Sequence, residues 1–186
     1  MKPSPVHFGL VSGAATVLFI ICLPLASWMS VLGQKDVGPW NQETHGASNY
    51  FMTKCTEEMS ATECGYLKSL QVASVLTILF GFFSTLLYFV PPRITSAVPF
   101  FLAASGSVVQ CVMALMTLVI FTYFKRHYFD DDGINQEYPE PDETAFSPVF
   151  WIWMTGLIVL SVSTASAYVV ARASTYTRKS MLNLGD

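Results

Sequence analysis

Read for charge, the chain falls into four long runs without a single Asp, Glu, Lys or Arg, at residues 3–34, 69–92, 94–124 and 144–171. Each is longer than the roughly 20 apolar residues that a helix needs to cross a bilayer. The pattern predicts transmembrane helices over about residues 8–32, 70–90, 95–124 and 146–170. Two longer loops remain, at about 33–68 and 125–145. The expected fold is an all-α membrane protein, a four-transmembrane-helix bundle in one domain over residues 1–186, with a small extracellular β layer in the first loop.

The ends of the spans carry local signals. A cleaved signal peptide is the competing reading of the first run, but its apolar core would span only about 7 to 15 residues, so a retained helix is expected. Pro24 lacks an N–H and its ring crowds the preceding turn, which predicts a kink there. Pro91 and Pro92 stop the second span, and Arg93 alone separates it from the third. Phe146, Phe150, Trp151 and Trp153 gather at the start of the fourth, where aromatic rings sit at headgroup level. The bilayer itself is the first partner.

Composition agrees with this reading. Charged residues are 12% and hydrophobic residues 52% of the chain, whereas a soluble domain carries about a quarter charged residues. Four spans put both termini on one side, together with Lys2, Arg93, Arg172, Arg178 and Lys179. The longer loops carry Lys35, Lys54, Lys68, Lys125 and Arg126 over a greater length, with every acid but Asp186. Basic density near the span ends favours cytoplasmic termini. An integral protein of the plasma membrane is the expected setting.

The first loop holds Trp40, Tyr50, Phe51 and Met52, large apolar groups that are costly in a loop unless they are covered. Asn49 to Met52 reads as a strand. Cys55 and Cys64 are close in sequence and would either form a disulfide, in an oxidising compartment, or stay free. A metal site is not expected, because His45 is the only nearby imidazole and zinc takes four ligands. Cys22 and Cys111 fall within spans and read as small packing residues. The second loop is acidic, with Asp130, Asp131 and Asp132 followed by Glu137, Glu140, Asp142 and Glu143. Its spacing is not that of a calcium loop, so it reads as a solvated face that attracts basic surfaces weakly. Trp40, Tyr50, Phe51, Asp130, Asp131 and Asp132 are the candidate partner-binding residues.

Catalytic chemistry finds little to work with. The chain has no GxSxG, HExxH or phosphate-binding Gly loop, and His7, His45 and His127 are scattered. No catalytic residue, cofactor or nucleic-acid partner is expected. Transport needs polar groups near midplane, and the spans offer only Gln110, Gln71 and hydroxyls. Gln110 reads first as an interhelical hydrogen-bonding residue. Gly9 and Gly13, Ala103 and Ser107, and Ser163, Ala167 and Ala171 recur every four residues, which lets helix backbones approach within the bundle or between copies.

The span order, the larger first loop with Cys55 and Cys64, the segment LKSLQVASVL at 67–76 and the long third span resemble the claudin and peripheral-myelin-protein-like group. FTYFK at 121–125 and FSPVFWIW at 146–153 look most like the amastins, surface proteins of parasitic protozoa. The chain departs from both patterns, with SNYF at 48–51 where claudins carry Gly-Leu-Trp and TEEM at 56–59 where amastins carry Trp-Gly. The resemblance implies a left-handed bundle under a small disulfide-tied extracellular strand layer. The function expected is non-enzymatic recognition, adhesion or lateral assembly at the cell surface, with itself or another membrane protein as neighbour and an unidentified extracellular partner. An auxiliary channel subunit or small transporter is the alternative.

Overall fold

A computed structural model of the chain describes residues 5–25, 28–31, 35–44, 50–52, 55, 61–89, 98–125 and 144–182. Among them are the helices α1 (Pro5–Cys22), α2 (Ala61–Phe89), α3 (Val98–Lys125) and α4 (Pro148–Leu182). Short strands lie between them: β1 (Met29–Val31), β2 (Lys35–Val37), β3 (Asn41–Thr44), β4 (Tyr50–Met52) and β5 (Thr144–Phe146). Three helices are long and apolar enough to cross a membrane, over Cys64–Phe89, Val98–Tyr123 and Pro148–Val170, the mark of an integral membrane protein. The fourth apolar helix, α1, is shorter, over Val6–Cys22.

The exterior supports a hydrocarbon setting. Phe82 is 61% and Val169 67% exposed, while Thr77, Ser84, Gln110 and Thr117 are wholly buried. A water-soluble bundle arranges these residue types the other way round. Small and hydroxyl-bearing side chains fill the interior because the helices approach closely there. α2 packs against α1 and α3, and α4 against α1 and α3, which closes a ring of four.

Helix bounds depart from the sequence expectation in three places. The first helix, expected to kink at Pro24 and run to 32, stops at Cys22. Leu23 N still donates to Phe19 O at 3.0 Å, but Pro24 has no N–H to continue the ladder, and the chain closes instead with Leu25 N on Cys22 O at 3.3 Å. Helix α2 starts at Ala61, well before 70, and α4 continues past 170 through Arg172 to Leu182. Charge marks where hydrocarbon ends, not where a helix must end.

The interior is layered. At one end Phe19, Cys22, Trp28, Leu67, Leu70, Phe121, Phe150 and Trp153 form an aromatic-rich core. At the other, Phe8, Tyr88, Ala103, Ala104 and Ala167 form a smaller one. A polar band lies between them, with Ser12 and Thr16 on α1, Thr77 and Ser84 on α2, Ser107 and Gln110 on α3, and Thr164 on α4. Trp153 is fully buried in the aromatic core, whereas Trp151 is 53% exposed. The two indoles are two residues apart and so face nearly opposite sides of α4, about 200° apart.

Gly81 makes the middle of the bundle possible. A Cβ there would overlap Gln110 Nε2 and Thr16 Oγ1, whereas one at Gly65 meets nothing within 4 Å. Gly81→Ala is expected to destabilise the bundle by about 1–3 kcal/mol through overpacking. Gly65→Ala, in the same helix, should be neutral or stabilise by up to about 1 kcal/mol. Unfolding midpoints of the two variants in lipid nanodiscs test the contrast, and equal behaviour would refute the close contact at Gly81.

Candidate functional site

The end of the bundle beyond Cys22 carries a five-stranded antiparallel sheet of order β4-β3-β2-β1-β5. Its first four strands come from the segment between α1 and α2, and the last from the segment before α4. The joining register is Met29 with Phe146, Ser30 with Ala145 and Val31 with Thr144. The two long connections thus share one sheet. Strand β1 falls inside the stretch expected as the end of the first span, where apolar residues serve a strand as well as a helix.

Trp28 seats this layer on the helices. Its side chain has no exposed surface and lies against Trp153 and Phe121, with ring centroids 4.9 and 5.3 Å away. Its indole N–H donates to the Cys22 carbonyl at 2.7 Å, a second bond to the oxygen that also accepts from Leu25 N at the end of α1. Ser147 N donates to the Trp28 carbonyl at 3.0 Å, so the start of α4 is held to the same residue. Sequence reasoning passed over Trp28. The available signal was an indole, which needs a hydrogen-bond partner when buried, a few residues past a proline in an apolar run.

A second anchor lies at the turn between β2 and β3. Gly38 and Pro39 are buried. Gln71 Nε2 donates to the Pro39 carbonyl at 3.3 Å, and Trp40 Nε1 donates to Ser74 Oγ at 3.2 Å. Trp40, a candidate for partner binding, is therefore half-buried and turned onto α2. A third anchor is covalent. Cys55, just past β4, is disulfide-bonded to Cys64 in the first turns of α2, with Cα atoms 5.2 Å apart. Of the other candidates, Tyr50 and Phe51 form the edge strand β4, paired with Glu43 and Gln42 of β3. Asp130, Asp131 and Asp132 lie outside the described residues.

The packing candidates gather in the helices. A Cβ on Gly9 would sit 2.9 Å from Tyr88 Cβ, and one on Gly13 would sit 3.2 Å from Thr85 Cγ2, so both glycines serve the α1–α2 contact. Ala167 packs within the smaller core and Ser163 is half-buried on α4. Gln110 Nε2 donates to Thr16 Oγ1 at 3.0 Å, across the ring from α3 to α1. Cys111 Sγ lies 3.7 Å from Thr164 Oγ1 on α4, and Cys22 and Cys111 are free thiols. Most hydroxyls turn back on their own helix, as Thr77 does to Ala73 O at 2.9 Å and Ser84 to Phe80 O at 2.7 Å. Among the described residues no three His, Cys, Asp or Glu side chains come together as metal ligands would.

No protein-family model matches the chain, and no curated protein is significantly similar to it. The docked sheet layer is the feature of the described residues that departs most from plain bundle packing.

Trp40→Phe removes the indole N–H together with the five-membered ring and keeps one aromatic ring, and should cost about 1–2 kcal/mol of docking energy. Trp40→Ala also removes the ring and should cost about 2–3 kcal/mol, at or just below the range for a fully buried aromatic. Hydrogen exchange checks this, with residues 38–44 exchanging faster in the order wild type, Phe, Ala while the middle of α3 is unchanged.

Proposed function

We propose that this chain is a four-span surface membrane protein of claudin-like or amastin-like type. It presents the sheet layer on the outer face of the plasma membrane for recognition, adhesion or lateral assembly, with both termini in the cytoplasm. In this reading α1 completes the set of four spans and the acidic segment 130–132 adds to the presented surface. The protein performs no catalysis.

One observation carries the reading: both long connections contribute to one sheet that is fastened to the helices by a disulfide and by two tryptophan-centred anchors, one buried and one half-buried. Fixing loop residues costs conformational entropy of about 1–2 kcal/mol each, and a connection with no task beyond linking two helices needs no such fastening. Loops held on a rigid scaffold are where binding residues concentrate. A disulfide fits an oxidising, outward-facing compartment. The bundle adds support, since its buried polar side chains mostly return to their own helix carbonyls or pair with a neighbouring helix.

The test uses intact cells. A membrane-impermeant amine reagent is expected to label Lys35 or Lys54 and to spare Lys179, and non-reducing peptide mapping should recover Cys55 and Cys64 as one linked species. Labelling of Lys179 alone reverses the topology, and free thiols remove the clasp. Cross-linking in native membranes should then yield adducts with a second copy or another membrane protein. A chain that remains uncross-linked at native density would count against lateral assembly.

A further inference from the structure

Gln110 is the longest polar side chain in the middle of the bundle and has no exposed surface. Its amide is only half engaged. Nε2 donates to Thr16 Oγ1 at 3.0 Å, but Oε1, equally buried, meets no donor. Four hydroxyls of α1 and α2 give their protons to carbonyls of their own helix. Thr16 donates to the Ser12 carbonyl at 2.7 Å, Thr77 to Ala73 O at 2.9 Å, Ser84 to Phe80 O at 2.7 Å and Thr85 to Gly81 O at 2.8 Å.

Turning the amide over exchanges the demand without removing it: Oε1 would face Thr16, whose hydroxyl would have to leave the Ser12 carbonyl to donate to it, and the NH₂ group would need acceptors at the other place. Hydrocarbon outside the bundle cannot supply the donor either. Natural interiors rarely leave such an atom alone, and ordered water is the usual partner where protein offers none.

The chemistry around Oε1 is specific. Thr16 Oγ1 donates to Ser12 O and accepts from Gln110 Nε2, which leaves it one lone pair, and the Gln110 carbonyl keeps both of its own, so acceptors are left over where donors are not. No carboxylate or imidazole belongs to the buried polar band, which leaves nothing to neutralise a cation. A neutral ligand with two protons fits. We infer that one water molecule is bound inside the bundle at Gln110 Oε1, between α1, α2 and α3. It donates one proton to the amide oxygen, and Thr77, one turn before Gly81 on the same buried face, offers a lone pair for the other. The site depends on Gly81, because a side chain there would displace the amide that holds the water.

This inference is independent of what the sheet layer recognises. It is tested by proton-detected solid-state NMR of ¹⁵N-glutamine-labelled protein in phosphatidylcholine vesicles, with the Gln110 side-chain signal assigned by its loss in Gln110→Met. Magnetisation transfer from water to the Gln110 amide protons is expected in wild type and in Thr16→Val, which removes the nearest exchangeable hydroxyl. Absence of transfer in wild type overturns the proposal, and so does its loss in Thr16→Val, since the signal then came through the hydroxyl. A wild-type structure fine enough to resolve ordered waters provides a second decision that no variant's folding can affect. Density within hydrogen-bonding distance of Oε1 supports the site, and a dry or protein-filled position there overturns it.

Discussion

Polar groups inside this bundle must be satisfied by the bundle, because hydrocarbon around the helices neither donates nor accepts a hydrogen bond. The interior follows from that constraint. Ser and Thr side chains fold back on carbonyls one turn earlier, which disposes of their protons without asking anything of a neighbour. They remain small enough for backbones to come close. The long amide of Gln110 cannot do this, and it reaches across to Thr16 through the gap that Gly81 leaves open. A short apolar helix is thereby tied to the opposite side of the ring.

The same constraint shapes the end of α1. Pro24 breaks the ladder there, and the Cys22 carbonyl turns to Leu25 N and to the indole of Trp28. That bond also fixes the tryptophan ring between Phe121, Phe150 and Trp153. Closing the helix and building the aromatic core are one event. Trp153 extends it, with its own N–H directed at the Ala114 carbonyl of α3 at 3.4 Å.

What could be read from sequence follows from which interactions are local. Long charge-free runs are a property of the chain alone, and three of them hold all or most of the helices suited to a membrane. The four-residue spacing of Gly9 and Gly13 likewise foretold a close helix contact, and Tyr88 and Thr85 supply it. The end of α1 was hidden because residues 23–34 stay uncharged while the chain changes from helix to strand. Hydropathy registers burial and not backbone conformation. The pairing of β1 with β5 joins residues more than a hundred positions apart, and three-residue strands carry no periodicity to announce it. What covers Trp40 was hidden for the same reason: its partner, Ser74, lies in another element.

The sheet is held by its edges as well as its centre, and this decides how it behaves as a platform. Strand β5 at one edge passes through Ser147 directly into α4. Strand β4 at the other is followed by Cys55, whose disulfide reaches the start of α2. Between them, the turn after β2 rests on Gln71 and Ser74, and β1 follows Trp28. Layer and helices therefore cannot reorient separately without breaking a covalent bond or exposing a buried indole. Whatever sets the tilt of α2 and α4 in the bilayer also sets the direction in which the sheet faces.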